Sequence, residues 1–86
     1  MKKTRLEKIL DDDTVLEGVI NHDTGIMIYR DNHTLDYLIL TYDNHHIVYL
    51  YDGDRDILVD AKAKNLEDAK ELAVEKIEKK LNRNYH

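Results

Sequence analysis

The sequence predicts an α+β domain: a short N-terminal helix, a four- to five-stranded antiparallel β-meander, and a C-terminal amphipathic helix packed on one sheet face. Three observations predict it. Apolar positions late in the chain recur at three- and four-residue spacing, the period of a helix. In the middle, short runs rich in Val, Ile, Leu and Tyr alternate with clusters of Asn, Asp, His and Gly too short for parallel crossovers. A chain of 86 residues, 42% of them hydrophobic, supplies one modest core. One domain is therefore expected over 1–86, divided into a helix and acidic linker (1–13), an antiparallel sheet (14–63), a helix (65–82) and a polar tail (83–86).

The first helix follows from a capping box, Thr4 with Glu7 three residues on, and from Leu6, Ile9 and Leu10 on one face. Asp11, Asp12 and Asp13 oppose the macrodipole at its C-terminus and should stop it. Five apolar runs follow: Val15 to Ile20, Ile26 to Arg30, Leu35 to Tyr42, Ile47 to Tyr51, and Asp56 to about Ala63. The breaks between them are Asn21–Gly25, Asp31–Thr34, Asp43–His46 and Asp52–Arg55, whose residue types favour turns. The last helix has Asn65 as N-cap, Asp68 at its third position, and an apolar stripe of Leu66, Ala69, Leu72, Ala73, Ile77 and Leu81. Acids at its front and bases at its back suit the dipole.

Composition removes most catalytic chemistry. The chain has no Cys, hence no disulfide and no thiolate metal site. It also has no Ser, and its three glycines stand apart, so no phosphate-binding loop exists. The histidines His22, His33, His45 and His46 fall in predicted turns. Adjacent His45 and His46 point to opposite faces if extended, and consecutive hairpin turns lie at opposite ends of a meander, which disfavours a shared metal ion. Asp52-Gly53-Asp54-Arg55-Asp56 has the opening spacing of a calcium loop but carries Ile57 where that loop needs Gly and Ala63 where it needs Glu. No enzyme, cofactor or metal is expected. No apolar run reaches the roughly 18 residues of a membrane span. The N-terminus has basic residues but no apolar stretch after them, so a cytoplasmic protein is expected.

The net charge of −5 is unevenly spread. Residues 1–10 carry four bases against one acid, residues 11–60 twelve acids against two bases, and residues 61–86 seven bases against five acids. An acidic middle repels nucleic acid and attracts basic protein surfaces.

The central strands are apolar on both faces. If Ile28 opposes Tyr37 and Leu40 opposes Tyr49, one face holds Ile26, Ile28, Tyr37, Ile39, Val48 and Leu50. The other then holds Met27, Tyr29, Leu38, Leu40, Tyr42, Ile47, Tyr49 and Tyr51. An antiparallel sheet with one wet face should alternate apolar and polar residues. The C-terminal helix can cover only one face, and the N-terminal helix is short. Either the short helix completes the cover, or the tyrosine-rich face docks on a second copy or on another protein. Tyrosine suits the second option, since it buries apolar area and keeps a hydroxyl for water or a partner. The expected docking residues are Tyr29, Tyr42, Tyr49 and Tyr51, rimmed by Asp31, Asp43, Asp52, Asp54 and Asp56. The acidic rim argues against base stacking by the tyrosines, so direct nucleic-acid binding is not expected.

In layout, a hairpin sheet leading into Asn65-Leu66-Glu67-Asp68-Ala69-Lys70, the chain resembles small acidic bacteriophage and mobile-element proteins of the anti-CRISPR and host-enzyme-inhibitor type. The resemblance implies a non-catalytic inhibitor that occupies a basic, nucleic-acid-binding site of a host defence enzyme such as a CRISPR nuclease. It assigns no role to an individual residue. The alternatives are a structural or regulatory homodimer that buries the tyrosine face on itself and, third, a metal-dependent enzyme.

Overall fold

A computed structural model describes residues 5–29, 33–52 and 58–83. The elements run α1 (Arg5–Leu10), α2 (Asp13–Leu16), β1 (Asn21–Tyr29), β2 (His33–Thr41), β3 (His46–Tyr51), β4 (Leu58–Ala63) and α3 (Leu66–Arg83). The strands form one antiparallel sheet in the order β1-β2-β3-β4, so β1 and β4 are its edges. The arrangement is α+β, with a meander of four strands between N-terminal and C-terminal helices.

The three consecutive aspartates stop one helix and start the next. Carboxylates at the end of α1 face the negative pole of its dipole. Asp12 then serves as N-cap of α2, its carboxylate accepting from the backbone N–H of Thr14 (2.9 Å) and of Val15 (3.4 Å). This cap overturns the expected strand from Val15 to Ile20. Val15 and Leu16 belong to α2, and the chain leaves it through Gly18 in the left-handed conformation (φ 82°). Thr4, the expected cap of α1, lies outside the described residues.

A second correction concerns β1. Asn21 to Gly25, expected as a turn, is the first half of a strand of nine residues. Cross-strand pairing overrides the local preference: Asn21 opposes Thr41 and Gly25 opposes Tyr37. The Tyr37 ring lies across the glycine; a Cβ on Gly25 would come within 2.5 Å of the phenolic oxygen. An aromatic on the neighbouring strand thus covers the backbone that a strand glycine leaves bare.

The register also differs from the expected one. Ile28 opposes Thr34 and Leu40 opposes Ile47. The expected turns were too long, because two of their histidines join strands. His46 pairs with Thr41, and its Nδ1 lies 3.0 Å from the threonine hydroxyl. His33 opposes Tyr29, and its Nε2 lies 2.9 Å from Asp52 Oδ1. The shift of two residues between β2 and β3 keeps their face assignment. The shift of three between β1 and β2 exchanges the faces of β1, because side chains alternate with period two. Met27 therefore joins Tyr37 and Ile39, while Ile26 and Ile28 join Leu38 and Leu40.

α3 begins as the sequence predicts. The Asp68 N–H donates to Asn65 Oδ1 (2.9 Å), and the Asn65 amide donates back to the Asp68 carboxylate (3.0 Å). The helix packs mainly on β3 and β4. Ala69, Ala73 and Ile77 meet Leu35, Ile39, Val48, Leu50, Val59 and Ala61 in the principal core. The small alanines let the helix approach the sheet closely. On the opposite face Leu38 and Leu40 have no exposed surface. The α1–α2 segment, whose Leu6, Ile9, Leu10, Val15 and Leu16 are half-buried, lies on this side, beside Tyr42. Two bonds tie it down: the Tyr42 hydroxyl donates to the Val15 carbonyl (2.7 Å), and the Ile20 N–H donates to the Thr41 carbonyl (2.8 Å).

Candidate protein-docking surface

The tyrosines expected to form a docking face are only partly available. Tyr42, Tyr49 and Tyr51 do fall on one side of the sheet, the side opposite α3, where Tyr49 opposes Leu38 and Tyr51 opposes Asp36. That side is where α1–α2 lies. Tyr51 is buried, at 8% exposure. Tyr42 is half-buried, stacks on His45 with ring centroids 4.4 Å apart, and uses its hydroxyl within the chain. Tyr49 is half-buried; burial first, then the charges of Asp60 and Tyr42, push its phenol above the ordinary tyrosine range. Tyr29 is placed by its backbone pairing with His33.

The acidic rim divides. Asp43 is exposed beside the Tyr42–His45 turn. Asp52 is 7% exposed and engages His33, while its other oxygen is buried with no hydrogen-bond partner among the described residues. A carboxylate so enclosed is a structural partner of β2 and cannot steer an incoming molecule. Asp31, Asp54 and Asp56 lie outside the described residues.

Open apolar surface is found elsewhere, around β1. A single helix seated mainly on β3 and β4 buries Leu35 and Ile39 of β2 but leaves β1, and Tyr37 of β2 in part, without a helical cover on that side. The result is a groove of about 310 Å³ between α3 and β1. Tyr37 and Ile39 form its floor, Leu66 and Val74 of α3 one wall, and Met27 of β1 the other. Asp23 and Lys70 stand at its lip, both exposed. On the other side of β1, Ile26 and Ile28 are 69% and 72% exposed, and Ile20, just before the strand, is 64% exposed. Large aliphatic side chains this bare, two residues apart on one strand face, are the exposed apolar patch that marks contact surfaces.

The register explains why the sequence did not reveal this surface. With the faces of β1 exchanged, Ile26 and Ile28 were expected on the face of Tyr37 and Ile39, and Met27 among the tyrosines. The signal that β1 is one long strand was Tyr37, an aromatic placed opposite a mid-strand glycine.

Histidines are engaged one by one. His33 meets Asp52, His46 meets Thr41, and His45 Nδ1 lies 2.7 Å from Asn44 Oδ1. Desolvation, then the charges of Lys62 and His46, hold the His45 imidazole below its ordinary range. No cluster of three or more His, Asp and Glu side chains suited to a metal ion occurs among the described residues. Among the same residues no helix is long and apolar enough to cross a membrane. No protein-family model, curated protein or solved structure matches this chain.

Proposed function

We propose that this chain is a non-catalytic protein-binding module that docks on a partner with a basic surface. The observation that carries the reading is the open apolar groove beside α3, with Met27, Tyr37 and Val74 around it. The docking role moves there from the tyrosines of the opposite face, whose rings are largely engaged within the fold. Acidic composition supplies the attraction: net charge −5, concentrated between residues 11 and 60. An inhibitor of a nucleic-acid enzyme, the role implied by the resemblance in layout, is one form of such a module, because sites built for phosphates are basic.

The test is affinity capture from the source cells with two baits, the wild-type chain and Val74→Glu, each at low and high salt. A prey retained by the wild type at low salt, and lost both with the variant and at high salt, is expected. A prey profile identical for both baits would remove the groove from the reading.

A second reading, a homodimer, is favoured by Ile26 and Ile28 on an edge strand. β1 has nine residues and one charge, Asp23, whereas the other edge strand, β4, exposes Asp60 and Lys62. Two copies each carrying −5 repel, and β1 is where they meet with least repulsion. Sedimentation equilibrium should then give a dimer that Ile26→Lys with Ile28→Lys converts to a folded monomer. A wild-type monomer at every concentration would dispose of this reading.

A further inference from the structure

The charges around the groove are sorted, and the sorting identifies what fits it. At 100° per residue, Leu66, Lys70 and Val74 turn the same flank of α3 toward β1. Just outside the groove, Lys70 and Val74 continue into a shallower depression lined by Glu71, Glu75 and Glu78. On the opposite flank of α3, Lys76 donates to the Asp60 carbonyl of β4 (2.7 Å), and Lys80 lies one turn further along that flank. Beyond Val74 α3 is thus acidic, and on its other flank basic, while its one charged residue in the groove lining is Lys70. Asp23, on the far wall, adds a second acidic edge. Among the described residues that line the groove, Lys70 is the one base on the acidic border.

The groove also has the dimensions of a missing helix. Neighbouring strands are about 4.8 Å apart, so the β1–β2 half of this sheet side, where Leu35 and Ile39 are already buried against α3, is roughly 10 Å wide. Packed helices lie about 8–10 Å apart. α3 sits mainly on the other two strands and reaches Leu35 and Ile39 of β2, so a helix lying alongside it would rest on Met27 and Tyr37. Such a helix inserts aliphatic side chains between Met27, Tyr37 and Val74. Methionine and a half-exposed tyrosine adapt their shape to different side chains more readily than branched residues do.

We propose that this groove seats a basic amphipathic helix of a partner protein. The helix presents aliphatic residues at i, i+3, i+4 and i+7 to the groove, and lysines or arginines on its flanks to Glu71, Glu75 and Asp23. The inference rests on the protein-binding reading and gives that partner's docking element a secondary structure and a charge.

The probe is a leucine–lysine helical peptide of about 18 residues, long enough to hold a helix, with a leucine–glutamate peptide of the same pattern as its twin. Both are titrated into the ¹⁵N-labelled chain. The leucine–lysine peptide is expected to bind and to shift the amides of Met27, Tyr37, Leu66 and Val74 most. The glutamate twin is expected not to bind. Glu71→Lys with Glu75→Lys should weaken the lysine peptide about tenfold and admit the glutamate twin. Val74→Glu adds a negative charge but removes the apolar wall, and should weaken binding by a similar factor; Met27→Glu serves if that variant does not fold. Shifts concentrated at Asp11 to Asp13 instead of the groove would show generic charge attraction and overturn the proposal, as would no binding. If the peptides fail while capture still depends on Val74, the partner docks through another kind of element and the protein-binding reading stands.

Discussion

Leu40→Ala is expected to lower the stability of the domain by about 3 kcal/mol, within the range for a fully buried leucine. Leu40 has no exposed surface although it lies on the side of the sheet away from the principal core. Its burial depends on α1 and α2, two short helices that could not persist alone. Truncation removes the transfer free energy of the lost carbons and leaves a cavity beneath the helices. A chain of 86 residues has roughly 4–13 kcal/mol to lose, so this one change takes a large share. Urea denaturation of wild type and variant measures it, as a lower midpoint at unchanged slope. A loss below about 1 kcal/mol would mean that the helices do not hold a sealed layer over Leu40, and would return Tyr49 and Tyr51 to candidacy as an open face.

Gly25→Ala is expected to destabilise by about 1–2 kcal/mol, against the usual sign for a glycine within a strand. Alanine ordinarily gains roughly 0.5–1 kcal/mol there by restricting the unfolded chain. Here the new methyl meets the Tyr37 ring at 2.5 Å from the hydroxyl oxygen and 2.6 Å from the carbon that bears it. Both distances are well inside van der Waals contact. The ring is rigid and must swing away as a unit, which is an overpacking cost of about 1–3 kcal/mol. Tyr37 also floors the groove, so the displacement alters the surface that binds the helical peptide. Tyr37→Leu removes the obstacle, and in that background Gly25→Ala should be neutral or stabilising. A double-mutant cycle in thermal or chemical unfolding reads the coupling; additive effects would show that the ring does not lie over the glycine in solution.

How far the fold was legible depended on the range of the interactions involved. α3 was read closely, from Asn65 to the end of the apolar stripe, because a cap and a helical period are local. β2 and β3 were placed nearly at their ends by their β-branched and aromatic content. The segment from Val15 to Ile20 was misread because its apolar run has strand composition. The deciding interaction is the Asp12 carboxylate two residues before Thr14, and a run of three aspartates by itself signals only a stop. Register was the costlier miss. One odd shift moved Ile26 and Ile28 off the face of Tyr37 and Ile39, where they are 69% and 72% exposed. Nothing in β1 alone fixes that shift; it depends on His33 being drawn into β2 beside Asp52. Of the expected docking residues, Tyr42, Tyr49 and Tyr51 were placed on the right face; cover by the N-terminal helix was one of the two readings left open there, and the second short helix, α2, was read as strand. Asp52 was read as a rim charge because its residue type is a turn former, and its burial depends on a histidine nineteen positions away.

The two edges of the sheet are finished differently. On β4, alternate exposed residues are Asp60, Lys62 and, just beyond, Lys64, and Lys76 occupies the Asp60 carbonyl. Edge charges and an occupied carbonyl discourage another strand from adding there. β1 has a single charge and two bare isoleucines. A molecule with one open edge and one closed edge has no route to end-to-end filament growth, which requires each subunit to offer two complementary edges. Strand addition at β1 is self-terminating: a partner strand, or an isologous copy of the chain, completes the assembly in one step.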